Sequence, residues 1–159
     1  MDNDIRKLID DNWEDIKELI VKKTEAEQKP KTIWDFNIED REEYYGIDSD
    51  GAIVQHMFDE SFDEVNRDIG NAFLTREEAE FELERRKVEA IMRKYSRPFA
   101  DGKINYFIVY DRDSKTTEIN YCWSMDCGVP CFETKEIAQQ VIDEIGEDRL
   151  KKYWFRVTE

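Results

Sequence analysis

The sequence predicts an α+β fold: an antiparallel sheet from two related hairpin–strand–helix units with helices on one face, preceded by an amphipathic N-terminal helix. Three observations carry this expectation. The pattern F-x-T-[RK]-E-x-A stands twice, at Phe73 to Ala79 and at Phe132 to Ala138, 59 residues apart. Self-similarity of this kind marks a repeated supersecondary unit. Each copy follows an aromatic, β-branched run broken by Asp, Ser or Gly, residues that tolerate the dihedrals of a hairpin turn. Residues 4 to 27 place Ile5, Leu8, Ile9, Trp13, Ile16, Leu19 and Ile20 on one face at three-four spacing, the period of an amphipathic helix.

In chain order, the N-terminal helix fades into Glu27-Gln28-Lys29-Pro30-Lys31, a polar stretch whose proline stops a helix and opens a linker. This divides the chain into a helical segment, 1–29, and an α+β domain, 30–159, with duplicated spans of about 44–95 and 106–157. After Ile33, Trp34 and Phe36, the first hairpin runs from Tyr44-Tyr45-Gly46-Ile47 through Asp48-Ser49-Asp50-Gly51 into Ala52-Ile53-Val54. Its counterpart runs from Tyr106 to Tyr110 through Asp111-Arg112-Asp113-Ser114 into Thr116 to Trp123. A third short strand ending at the repeated Phe, then a helix, completes each unit.

Both helix starts have a chemical rationale. Thr75 can accept from a first-turn amide with Glu78 completing a capping box, whereas Thr134 caps alone because Ile137 takes the glutamate's place. The second helix has one apolar stripe, Ile137, Ala138, Val141, Ile142 and Ile145, and Gly146 is a natural cap. The helix over 75–95 is apolar on two sides: Ala79, Leu83 and Ala90 on one, and Phe81, Val88, Ile91, Met92 and Tyr95 on the other. Both must be covered, one by the sheet and the other by the N-terminal helix or a second subunit. The tail predicts a helical turn around Leu150 and a last strand, Tyr153 to Val157.

Composition narrows the function. At 159 residues the chain is long enough for a real core, and 13% aromatic residues set it apart from a disordered acidic tail. Its apolar runs are only a few residues long and its start, Met-Asp-Asn-Asp, is the opposite of a basic signal peptide, so a cytoplasmic protein is expected. A formal net charge of −15 argues against direct binding to nucleic acid or an anionic membrane, both of which need basic patches.

That charge is unevenly placed. Residues 35 to 64 carry eleven acids against one base, Arg41. A soluble surface normally mixes both signs, because a single-sign field repels itself. The candidate partner-binding residues are Asp35, Glu39, Asp40, Glu42, Glu43, Asp59, Glu60, Asp63 and Glu64. Their carboxylates, gathered in a ridge, would offer Arg and Lys the charge-assisted bonds of a phosphate backbone. Trp34, Phe36, Phe58 and Phe62 are interleaved as contact anchors or as core residues. The bland alternative is a solvated face on a chain acidic throughout.

No catalytic or metal motif competes with it. Cys122, Cys127 and Cys131 form C-x4-C-x3-C, an odd number that does not suit a disulfide framework. A zinc site there would need His56 or Asp126 to complete it; otherwise these cysteines are small hydrophobes on a strand and its loop. Asp48-x-Asp50-Gly51 matches a hairpin turn, since a calcium loop aligned on Gly51 puts Gly46 first and Met57 last. Acid pairs such as Asp59/Glu60 have no accompanying nucleophile or cofactor loop. No enzyme activity, cofactor or resident metal is expected.

The segments Gly70-Asn-Ala-Phe-Leu-Thr-Arg-Glu-Glu-Ala-Glu80, Phe132-x-Thr-x-Glu-x-Ala138 and Ile145-Gly-Glu-Asp-Arg-Leu-Lys-Lys-Tyr153 resemble a broad set of small, largely uncharacterised proteins encoded by phages and prophages of Gram-positive bacteria. The resemblance covers roughly residues 44–159 and rests on capping and packing residues, so it transfers no catalytic role. It implies a mobile-element origin, in company that includes inhibitors of host defence such as anti-CRISPR proteins. The expected function is therefore a phage-encoded inhibitor that binds a host nucleic-acid-handling protein, such as a CRISPR effector, in its basic groove. The alternative is a homodimeric structural or assembly module, paired through residues 1–29 or the 75–95 helix.

Overall fold

The computed structural model describes residues 12–18, 30–124 and 128–157. Strands β1 (Glu42–Ile47) and β2 (Ile53–Phe58) pair antiparallel with Tyr44 opposite His56. Their turn closes through Asp48, whose N–H donates to the Ala52 carbonyl at 2.8 Å, and through Gly51 at φ +84°, a conformation glycine adopts without a Cβ clash. Helix α1 (Ser61–Asp68) and then α2 (Arg76–Tyr95) complete the first unit. The second repeats the plan with β3 (Asn105–Asp111), β4 (Thr116–Cys122) and α3 (Lys135–Ile145).

The repeated sequence pattern does the same work in both halves. Phe73 exchanges two backbone hydrogen bonds with Tyr45, both 2.9 Å, and Phe132 exchanges two with Tyr106, at 3.1 and 2.7 Å. The expected third strand is thus a single bridge in each unit. Two residues later the threonine caps the helix: Thr75 Oγ1 accepts from Glu78 N–H at 3.2 Å, and Thr134 Oγ1 from Ile137 N–H at 3.2 Å. Glu78 also reaches back, to the Leu74 N–H at 3.0 Å, one residue beyond the N-cap amide that a standard capping box uses.

The α+β class stands, with the hairpins forming two separate two-stranded sheets. Helix α2 lies between them. Near its start Arg76 bonds the Ile53 carbonyl of β2 and stacks over Tyr45 of β1. Farther along, Val88 and Met92 are buried with Ile108, Phe132, Ala138, Val141, Ile145 and Leu150, and Ile91 and Tyr95 pack on this cluster. The second apolar side of α2 is therefore covered by its own chain. On the other side Ala79 is buried and Leu83 half-buried, while Ala90 is exposed; most of the N-terminal helix expected to cover one side, all but residues 12–18, lies outside the described residues.

The tail also departs from expectation. Leu150–Trp154 is π-helical, not extended, with Phe155 N–H donating to the Leu150 carbonyl at 3.0 Å. An aromatic run reads as a strand, but Leu150, Tyr153 and Trp154 all face the main cluster, and their i, i+3, i+4 spacing is helical. A smaller cluster of Phe36, Tyr44, Phe58 and Ala72 fills the first unit.

Candidate partner-binding surface

Helix α1 is built inside out. Its buried residues are polar, Asp63 and Asn66, because a polar group waits beneath them. The Tyr44 hydroxyl, on the inner face of β1, donates to Asp63 Oδ1 at 2.7 Å and accepts from Asn66 Nδ2 at 3.1 Å. The other Asp63 oxygen accepts from the N–H groups of Asp59, at 3.1 Å, and Glu60, at 2.9 Å. A buried carboxylate is tolerable when its lone pairs are filled in this way. Burial first, and then the Asp63 hydrogen bond, push the Tyr44 phenol up to about 12.

The outward face of α1 carries its apolar residues. Phe62, Val65 and Ile69, at i, i+3 and i+7, are 60%, 55% and 68% exposed. Trp34 is 64% exposed beside them, joined to the helix by Arg67, whose guanidinium stacks 5.4 Å from the Trp34 ring and bonds the Phe36 carbonyl at 3.3 Å. Of the four interleaved aromatics, Phe36 and Phe58 are core and Trp34 and Phe62 are surface.

The acids divide into those the fold uses and those it presents. Asp63 is a correction: only 5% exposed, it holds α1 on β1 and offers nothing to a partner. Glu42 pairs with Lys31 and has one carboxylate oxygen buried without a hydrogen bond, so it too leaves the ridge. Asp35 caps a 3-10 turn, Ile33–Asp35, accepting from the Thr32 N–H and hydroxyl at 2.8 Å each. Glu43, next to Glu42 on β1, points to the opposite face and accepts from Gln55. Glu39, Asp40, Asp59 and Glu60 are exposed and Glu64 half-buried. Because Glu42 pairs with Phe58 at the open end of the hairpin, the loops on either side, 39–41 and 59–60, emerge together there. Asp48 and Asp50 sit at the other end, in the turn. The continuous ridge expected from sequence contracts to an acidic rim around α1.

His56 stacks on the Tyr44 ring at 5.3 Å. Cys131 is buried and Cys122 ends β4, whereas Asp126 and Cys127 lie outside the described residues. Among the described residues no group of three His, Cys, Asp or Glu is arranged to hold a metal, and no helix is long and apolar enough to cross a membrane.

No protein-family model, curated protein or solved structure matches the chain. Its own residues must supply the functional argument. No helix is expected from sequence between the first hairpin and Phe73, and the spacing of Phe62, Val65 and Ile69 by itself suggests a buried stripe, not an exposed one. The signal that could have revealed it is the polarity of Tyr44, 19 residues from Asp63.

Proposed function

We propose that this is a non-catalytic, phage-encoded inhibitor that occupies the basic groove of a host nucleic-acid-handling defence protein in the cytoplasm. The carrying observation is α1, with Phe62, Val65 and Ile69 facing solvent and Asp59, Glu60 and Glu64 beside them. An exposed apolar stripe rimmed by charge is the anatomy of a protein interface. The acids complement a groove lined by Lys and Arg, and the aromatic and aliphatic residues give anchors that phosphate mimicry alone lacks.

The two parts make separable contributions. Exposed charge pairs are screened beyond about 10 Å at 0.1 M salt, so the rim should govern association rate and salt dependence, while Phe62 governs dissociation. The test is capture from bacterial lysate at low salt, with and without competing duplex DNA. A basic nucleic-acid-binding protein should be retained, displaced by the duplex, and lost from Asp59→Lys/Glu60→Lys/Glu64→Lys protein. Capture indifferent to salt and duplex, or undiminished by charge reversal, would refute groove occupancy.

A further inference from the structure

Most cations on α2 are matched by acids: Arg85 bonds Glu82 and Glu89, Arg86 bonds Glu82, and Lys87 bonds Glu84. At the far end of the second unit the pattern reverses. Arg112 and Lys115, in the β3–β4 turn, and Arg156, just past the π-helical stretch, converge on one groove of 1130 Å³. None of the three makes an ion pair among the described residues. The adjoining cavity, 920 Å³, shares Lys115 and Arg156 and adds Lys151, Lys152 and one acid, Asp148. Lys151 is held by Glu147 at 3.1 Å. Five cations and one acid thus line a surface of a chain with 39 acids and 24 bases.

The walls of this groove are flat. Phe107, Tyr110, Trp154 and Phe155 line it, with Tyr110 and Phe155 6.0 Å apart. The backbone adds a second sign. Arg156 has φ +53° and follows a helical end closed by the Val157 N–H donating to the Lys151 carbonyl at 2.9 Å. That left-handed position is where glycine normally ends a helix, and an arginine there is strained. Lys115, at φ +56°, occupies the same region in its turn. Strain of this kind concentrates at ligand clamps; Lys115 lines both cavities, and the Arg156 guanidinium stacks 6.0 Å from the Phe81 ring on the wall of the adjoining one.

We propose that this groove and the cavity adjoining it bind a nucleoside monophosphate, with the base stacked on the Tyr110 and Phe155 pair and the phosphate held by Arg112, Lys115 and Arg156, which the two cavities share or line. Base stacking on aromatic side chains and charge-assisted bonds from Arg and Lys to phosphate are the two interactions that such a ligand requires. The aromatic wall and the Arg112–Lys115 turn belong to the second unit, whereas Arg156 also lines a cavity with Ile69 and Gly70 at the end of α1.

Calorimetric titration of the full-length protein with AMP, GMP, CMP and UMP tests this, with inorganic phosphate and adenosine as separate probes. At least one nucleotide should bind tenfold or more tightly than either probe. Lys115→Gly/Arg156→Gly relieves two left-handed side chains, so its melting temperature should equal or exceed that of the parent while nucleotide affinity falls at least tenfold. Arg112→Ala, in an exposed turn, gives an independent reading, with affinity falling at least threefold. No binding by any of the four nucleotides at millimolar concentration, phosphate binding as well as the nucleotides, or affinity retained in both variants would each overturn the proposal.

Discussion

The two halves share one plan and solve opposite problems with it. Each is a hairpin, a single Phe bridge, a threonine cap and a helix. In the second half the space over the hairpin is filled with aliphatic side chains around Phe132. In the first half it is closed by α1 through a tyrosine–aspartate–asparagine network, leaving the apolar side of that helix in solvent. The shared frame determines where the elements lie; the residues placed upon it decide which half is a core and which carries an exposed binding face.

Substitutions can break this contrast at several strengths. Met92→Ala, inside the aliphatic cluster and 1% exposed, should lower global stability by about 2–5 kcal/mol, measured by urea denaturation. Alkaline pH should weigh most on the first half. The Tyr44 phenol is held at about 12 against an ordinary value of 10, so the folded state keeps a proton that the unfolded chain releases above pH 10. Its contribution is complete below pH 10 and fades as pH rises to about 12, a loss of about 2–3 kcal/mol. Stability of parent and Tyr44→Phe measured side by side across that range should converge; parallel curves would refute the linkage.

At neutral pH, Tyr44→Phe leaves Asp63 without its hydroxyl donor and should cost about 1–3 kcal/mol, with hydrogen exchange accelerated in 61–68 before the second unit. The caps should matter less: Thr75→Ala and Thr134→Ala each about 1 kcal/mol in thermal melts. The smallest effect belongs to Lys94→Ala, which removes an exposed pair with Glu144 and should leave the melting temperature unchanged within error.

Local chemistry made much of this visible from sequence. The F-x-T pattern located both bridges and both caps because a capping threonine acts on amides a few residues away. The Asp-Gly and Asp-Ser turns were equally local. What stayed hidden depends on distant partners. Whether two hairpins join into one sheet is not written in either hairpin, and helical spacing at Phe62, Val65 and Ile69 does not say which side faces inward. That was decided by Tyr44. Similarly, Arg112 and Lys115 meet Arg156 only after the tail wraps as a π-helix, where aromatic residues had suggested a strand. The acidic block was legible as a concentration of charge, but not the removal of Asp63 and Glu42 from it, since each is claimed by a group outside the block or beneath it.

Keeping the hairpins in separate sheets leaves β2 and β4 with no neighbouring strand on their outer sides among the described residues. Unpaired edges of this sort are templates on which other chains add strands, and a formal charge of −15 is a means of holding other copies at a distance. That protection weakens toward the isoelectric point near 4.6, so mild acid should favour edge-to-edge self-association while each fold remains intact.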